Sequence, residues 1–161
     1  GANGLSTFQS YFILKCISEL GMHEESVAQA KEYYGKMIEL GATTFFEDFD
    51  IAWADNVTKI DEIPVEDKKD FHGDHGAFCY KGYRHSLCHG WSSGVVAFIF
   101  EYIVGVKQID STSFIIKPNL GNIENLKCAF ATKNGLVKLE FVNKKLVKKE
   151  IPVGICINIE E

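Results

Sequence analysis

The hydrophobic pattern of this chain changes its period once, close to Ile109. Before that position apolar residues recur at helical spacing, and after it apolar and polar residues alternate as they do along a strand. A run of helices followed by a run of strands is typical of an α+β protein. The sequence therefore predicts two domains, a helical one over residues 1–106 and a small antiparallel β-sandwich over residues 107–161.

Three helices and one short turn are predicted in the first part. They cover residues 7–20, 24–40, 86–104 and, for the turn, 51–54. Ser6 or Thr7 can cap the first helix, and Gly21 and Gly41 stop the first and the second. Because only a short link joins these two helices, we expect them to form an antiparallel hairpin.

Four strands are predicted in the second part. They cover residues 114–118, 126–132, 136–142 and 154–159. The dipeptide Asn134-Gly135 between the second and the third favours a two-residue hairpin turn. Five lysines lie at turns and at alternating positions, which indicates a solvated strand face or a protected edge. These are Lys138, Lys144, Lys145, Lys148 and Lys149.

Charge and length exclude some partners. The 161 residues carry 17 basic and 22 acidic side chains, a net charge of -5, which argues against binding to nucleic acid. The longest apolar run, residues 95–100, is too short to span a membrane. The chain starts at Gly1 instead of Met, which is consistent with a longer precursor, so its compartment cannot be read from this end.

The cysteines predict free thiols. No Cys-x-x-Cys pair indicates a zinc or redox site. Cys16, Cys128 and Cys156 lie at apolar positions, where we expect small core side chains. Cys79 and Cys88 share one loop region and could form a disulfide in an oxidising compartment, although free thiols are favoured.

Residues 41–50 combine three acids with three phenylalanines. Carboxylates beside aromatic rings suit a sugar site, because rings stack on the pyranose and apolar surroundings tune an acid for proton transfer. Glu47, Asp48 and Asp50 are the candidate acids. The other interpretation is that the acids cap and solvate a helix start whose phenylalanines belong to the core.

Residues 55–85 show neither helical nor strand period, and long irregular segments usually serve a site. Within them, His72 and His75 with Asp74 could bind a metal. The spacing is generic and no second ligand pair accompanies it, so no metal site is predicted. A small metal protein remains a separate hypothesis, which elemental analysis would test.

The residues that begin the third predicted helix offer two further kinds of chemistry. Cys88 with His85 or His89 could form a nucleophile and base, but no orienting third group or oxyanion hole accompanies them, so this hypothesis is rejected. His89 could instead donate a hydrogen bond to a sugar hydroxyl while Trp91 stacks on the ring. The alternative is a core histidine beside a core tryptophan.

Three blocks together resemble the C-terminal part of bacterial α-L-rhamnosidases: residues 41–47 (Gly-Ala-Thr-Thr, two aromatics, Glu), residues 86–94 (Ser-Leu-Cys-His-Gly-Trp-Ser-Ser-Gly) and residues 115–121 (Ile-Ile-Lys-Pro-Asn-Leu-Gly). Their order and spacing match over most of the chain. The resemblance implies the end of an (α/α)6 barrel followed by a β-sandwich, in an inverting glycoside hydrolase that releases L-rhamnose.

The resemblance also implies roles for individual residues. Glu47 matches the general base, and His89 matches a sugar-binding histidine. Trp91, Trp53 and Phe46 would form the subsite wall. Family members usually have Trp immediately before the glutamate, where this chain has Phe46.

The chain departs from the family in length. An (α/α)6 barrel has a dozen helices, and three are predicted here. The family's general acid lies upstream of the matching part, so we expect a partial catalytic domain that is inactive alone. The implied partner is a rhamnose-containing glycan or glycoside, with no cofactor, and the implied parent is periplasmic or secreted. The alternative is a non-catalytic carbohydrate-binding or interaction fragment that uses the β-sandwich.

Overall fold

The computed structural model describes residues 1–63, 65, 70 and 86–160. The chain forms two compact units, Gly1–Ala97 and Phe98–Glu161, which we call the helical unit and the sheet unit. Helices precede strands, as expected for an α+β chain. The two units meet between Ala97 and Phe98, whereas the sequence predicts a domain boundary after residue 106. The last helical turns therefore belong to the sheet unit.

The helical unit contains two long helices, α1 (Ser10–Glu19) and α2 (His23–Glu39), which pack against each other. The regular part of α1 begins later than the predicted cap, although the Gln9 N–H still donates to Ser6 Oγ at 3.3 Å. Both helices end before a glycine with positive φ, as predicted. The core of this pair includes Leu14 and Tyr33, both with 0% of their surface exposed.

The third helical segment is shorter and less regular than predicted. It consists of a 3₁₀ turn (Gly90–Ser93), the α-helix α3 (Gly94–Phe98) and a π-helical turn (Ile99–Ile103). The prediction of helix from residue 86 is wrong, because residues 86–89 are not helical and the backbones of Ser86 and His89 bond to another segment. Gly94 allows a close approach here, since a Cβ at this position would lie 2.7 Å from Tyr11 Cβ.

The sheet unit contains six strands in two three-stranded sheets. The strands are β1 (Val106–Gln108), β2 (Ser113–Ile116), β3 (Leu126–Thr132), β4 (Gly135–Val142), β5 (Lys145–Glu150) and β6 (Cys156–Ile159). The first sheet has the order β1-β2-β6, with β2 and β6 parallel. The second is the antiparallel meander β3-β4-β5. The sequence predicts four of these strands and misses β1 and β5.

Aromatic and aliphatic side chains fill the core of the sheet unit. The ring of Phe114, from the first sheet, lies 5.5 Å from that of Phe130, from the second. Ile116 and Val137 are fully buried at 0% exposure. The apolar residues that alternate along the predicted strands therefore face this core.

The two hairpin turns of the second sheet differ. The turn between β3 and β4 is formed by Lys133 and Asn134, and Gly135 already pairs with Thr132, so the predicted Asn-Gly turn is shifted by one residue. The turn between β4 and β5 has two positive φ angles, 48° at Asn143 and 62° at Lys144. Two positive φ angles define a type I′ turn, in which the second position favours glycine.

Two predictions about the cysteines have different outcomes. The four that the structure describes, Cys16, Cys88, Cys128 and Cys156, are free thiols. The expectation that three of them are core residues is wrong for Cys16 and Cys156, which are exposed. Cys128 is half-buried, on the same side of β3 as the core residue Phe130. Within the described ranges, no helix is long and apolar enough to cross a membrane.

Candidate functional site

Two segments that are distant in sequence bond to each other in the helical unit. The Glu47 N–H donates to the Ser86 carbonyl at 2.8 Å, and the His89 N–H donates to the Phe45 carbonyl at 2.8 Å. The segments therefore pair through their backbones. This pairing brings Glu47 and His89, 42 positions apart in the numbering, to neighbouring places in the fold.

The carboxylate of Glu47 is held by a long-range bond. Its Oε2 accepts a hydrogen bond from the Ser86 N–H at 3.0 Å, and its backbone carbonyl accepts one from Thr7 Oγ1 at 2.6 Å. Thr7 is 3% exposed, and this bond is part-buried. Among the described residues, Glu47 Oε1 accepts no hydrogen bond.

Residues 41–50, which we call the motif, contain two further acids, and each accepts a hydrogen bond from a nearby backbone group. Asp48 Oδ1 accepts a hydrogen bond from the Phe49 N–H at 2.9 Å, and Asp50 Oδ1 accepts one from the Ala52 N–H at 2.8 Å. Asp50 thereby caps a 3₁₀ helix, Ile51–Asn56. The capping interpretation is correct for Asp50, and the geometry separates Glu47 from its two acidic neighbours.

Two phenylalanines of the motif belong to the core. Phe46 and Phe49 are each 1% exposed, and their ring centroids lie 6.2 Å apart. The Tyr33 hydroxyl donates to the Phe49 carbonyl, and burial raises the pKa of this phenol, so it remains a donor. The Phe46 ring has no face open to a ligand in this arrangement, because it packs inside the unit. We therefore leave it out of the candidate site.

Trp91 and His89 lie side by side at the start of the third helical segment. Their ring centroids are 4.6 Å apart, and the Trp91 ring also lies 5.6 Å from that of Phe8. Phe8, Phe12 and Trp91 are 49%, 55% and 60% exposed; we call these three residues the aromatic patch. Exposed aromatic rings in one group are typical of a binding surface.

Trp53 lies on the 3₁₀ helix that follows the motif, and its side chain is half-buried. A cavity of about 210 Å³ lies on the other side of the motif. It is lined by α2 residues and by the motif up to Phe45, and Glu47 is not part of this lining. The cavity therefore does not define a position for a ligand at Glu47.

Several candidates lie outside the described residues. They are His72, Asp74, His75, Cys79 and His85. In the part of the chain that the structure describes, no group of three or more His, Cys, Asp or Glu side chains is arranged to hold a metal ion. That residues 55–85 serve a site stays a prediction.

Sequence reasoning missed three residues that fix the site. The sequence predicts Thr7 or Ser6 as a helix cap, Phe8 as part of the first helix and Ser86 as the start of the third, yet each contacts Glu47 or Trp91. Their partners lie 39 to 83 positions away in the sequence, so no local signal reveals their roles.

The chain matches no family model and no curated protein. Among solved structures, it is similar to a GH78 family rhamnosidase of Bacillus sp. GL1, with 22% sequence identity and a TM-score of 0.65. The match covers 96% of this chain and 15% of that one, so the chain spans a small part of that protein's length. At this identity the likeness is one of fold: the chain folds like a part of a GH78 rhamnosidase.

Proposed function

We propose that the chain is part of the catalytic region of a glycoside hydrolase that cleaves terminal α-L-rhamnosyl linkages with inversion. In this proposal Glu47 is the general base, His89 binds a sugar hydroxyl, and Trp91 and Trp53 supply apolar surface for the ring. The substrate is a rhamnose-containing glycan or glycoside.

The observation that supports the proposal most is the backbone pairing of residues 45–47 with residues 86–89. An inverting mechanism needs a carboxylate beside a bound sugar, with a water molecule between them. Two bonds of 2.8 Å join the backbone of Glu47 to Ser86 and that of His89 to Phe45, so Glu47 and His89 lie on adjoining segments. The similarity to a rhamnosidase fold adds independent support.

The contacts of Glu47 suit the role of a base. The Ser86 N–H on Oε2 fixes the orientation of the carboxylate, and Thr7 fixes the backbone behind it. Oε1 is then directed by a rigid frame and can accept the proton of the attacking water. Preorganisation of this kind reduces the cost of aligning the water with the sugar.

The remaining part of the mechanism belongs to sequence beyond this chain. Inverting glycosidases use a second carboxyl group roughly 6.5–9.5 Å from the base. We assign this role to neither Asp48 nor Asp50: one oxygen of each bonds to the adjacent backbone, and the resemblance implies a general acid upstream. We infer that the general acid lies in a longer polypeptide and that this chain alone does not turn over substrate.

The test uses a longer polypeptide that includes this sequence and an aryl α-L-rhamnoside. We expect Glu47→Gln to lower kcat by roughly 10²- to 10⁴-fold, as loss of a general base does. Asp50→Asn is the matched control, since it removes a charge three residues away without touching the proposed base. The proposal would be contradicted if the longer polypeptide had no rhamnosidase activity, or if its Glu47→Gln variant had the same kcat.

Substitution of His89 tests sugar binding separately from the chemical step. We expect His89→Ala to raise KM about tenfold or more, because a lost sugar hydrogen bond weakens ground-state binding. Trp91→Ala should act in the same direction. If His89→Ala leaves KM unchanged, the sugar does not contact this histidine.

A further inference from the structure

The sheet unit contains a cleft between its two sheets, on the side where β5 and β6 are the edge strands. Its volume is about 730 Å³, within the range of known ligand sites. Phe141 and Leu146 of the second sheet and Ile159 and Pro118 of the first supply an apolar lining. The polar part of the lining consists of Lys144, Lys145, Lys149 and Glu160.

Strand β5 has the features that protect an edge from unwanted pairing. Half of its six residues are lysines, and its register with β4 shifts between Glu140 and Phe141. Lys149 pairs with Leu139, which is 2% exposed, so the lysine is on the core side of the strand. Charges, bulges and inward-pointing lysines all discourage the addition of a further strand.

Strand β6 lacks these protective features. It reads Cys-Ile-Asn-Ile, carries no charge, and pairs with β2 in an unbroken parallel register. In the part of the chain that the structure describes, no strand pairs with its other side. The cleft therefore joins one protected edge to one that can accept a partner strand.

The backbone groups that β6 offers can be identified. The N–H groups of Cys156 and Glu160 donate towards β2, at 2.8 and 2.9 Å. Because the direction of these groups alternates along a strand, the N–H and C=O groups of Ile157 and Ile159 point away from β2. No hydrogen-bond partner for them exists among the described residues. They form a short ladder ready for a partner strand.

The lysines of the cleft differ from those on the outer face of the same sheet. On that face, Lys138 and Lys148 both pair with Glu150, at 2.9 and 2.8 Å. Within the described ranges, the three cleft lysines make no ion pair. The cleft is thus lined by three lysines and one carboxylate, Glu160, and is positively charged, although the whole chain is acidic.

We propose that the cleft binds an extended acidic segment of another protein, which pairs with β6 as an added strand. Alternate side chains of this segment enter the apolar cleft, and its acidic side chains meet the three lysines. Pairing supplies backbone bonds, whereas side chains supply specificity, as in other cases of strand addition. The lysines repel a second copy of β5 and favour an acidic partner. The proposal does not depend on the proposed function.

The test uses the 161-residue chain and a fluorescent peptide of alternating valine and glutamate, with binding followed by anisotropy. Two further peptides carry N-methyl groups, one on every valine and the other on every glutamate. Only one of the two sets of N–H groups can face β6. We therefore expect one methylated peptide to bind at least about tenfold more weakly and the other to bind within about twofold of the parent peptide.

Protein variants test the charges. Changing Lys144, Lys145 and Lys149 together to Gln should weaken binding at least about tenfold. The matched control changes Lys107, Lys127 and Lys133 to Gln, which removes the same charge from the sheet unit outside the cleft. Absence of peptide binding, equal binding of both methylated peptides, or equal weakening by both triple variants would overturn the proposal.

Discussion

The helical unit and the sheet unit differ in which segments their polar contacts join. In the helical unit, polar bonds join residues that are far apart in sequence: Thr7 to Glu47 over 40 positions and Ser86 to Glu47 over 39. In the sheet unit, ion pairs join adjacent strands, as Lys138 and Glu150 do. The helical unit is also acidic, with 15 acidic and eight basic side chains, against seven and nine in the sheet unit.

This difference shows where each unit is vulnerable. A hairpin keeps its register through neighbours in sequence, so the loss of one surface pair changes little. The candidate site depends on a few part-buried bonds between distant segments. The same bonds connect the segments that carry Glu47 and His89.

The largest expected effect on stability tests whether Phe49 of the motif is part of the core. Phe49→Ala removes a ring that is 1% exposed and packs against Tyr33 at 5.4 Å. We expect a loss of about 3–5 kcal/mol in the free energy of unfolding, from lost burial and the cavity that remains. Urea denaturation followed by tryptophan fluorescence reports it, since both tryptophans lie in the helical unit. Ile38→Ala, at a position 69% exposed, is the control, and a similar cost for both would contradict the core assignment.

The second effect tests the long-range anchor. Thr7→Val keeps the side-chain shape but removes the donor of a part-buried bond to the Glu47 carbonyl. We expect a loss of about 1–3 kcal/mol, because a part-buried carbonyl is left without its partner. The measurement is the same denaturation curve, with Ser6→Ala as the comparison. If Thr7→Val costs no more than Ser6→Ala, the anchor does not stabilise the site.

The third effect is a gain in stability, at the turn between β4 and β5 of the sheet unit. Lys144→Gly places glycine at φ 62° in the type I′ turn. We expect a stabilisation of roughly 0.5–1 kcal/mol, because a side chain in the left-handed region is strained. The thermal midpoint of unfolding should rise, whereas Lys145→Gly, inside β5, should lower it. A lower midpoint for Lys144→Gly would show that the turn is not strained.

The smallest effect concerns pH. Hydrogen bonds and charge from Lys138 and Lys148 lower the pKa of Glu150 to about 2. Because the folded value is below the unfolded one, these pairs stabilise the fold above pH ~4.3 and are lost as the pH falls towards 2. An NMR titration of the Glu150 side chain should give a midpoint well below the ordinary glutamate pKa of about 4.3. A midpoint at that ordinary value would show that the pairs do not form in solution.

The parts of the fold that sequence predicts are those with local signals. The second helix, predicted over residues 24–40, is observed as His23–Glu39, because a long period, acidic first turn and terminal glycine agree. Strand β3 was predicted with its observed bounds for the same kind of reason. The error at residues 86–89 has the opposite cause: Ser86 resembles a helix cap locally, whereas its backbone bonds to Glu47 from another segment. Strand β5 was missed because lysines obscure its alternation.

The candidate site could be predicted only in part. The residues themselves indicated three acids and the pair His89 and Trp91, and the resemblance singled out Glu47 as the base. The sequence also offered capping acids and core phenylalanines as the alternative, but it could not show which acid is the cap or which ring is buried, since burial depends on packing in the folded chain. The distinction between the three acids is a property of the folded chain.

Amide hydrogen exchange of the 161-residue chain, measured by NMR, tests the central claim most directly, namely that residues 45–47 and 86–89 pair. The N–H groups of Glu47 and His89 donate to Ser86 and Phe45, so we predict that they exchange at least about 100-fold more slowly than in an unfolded peptide. Exchange of both groups at the unfolded rate would contradict the pairing and, with it, the proposed site.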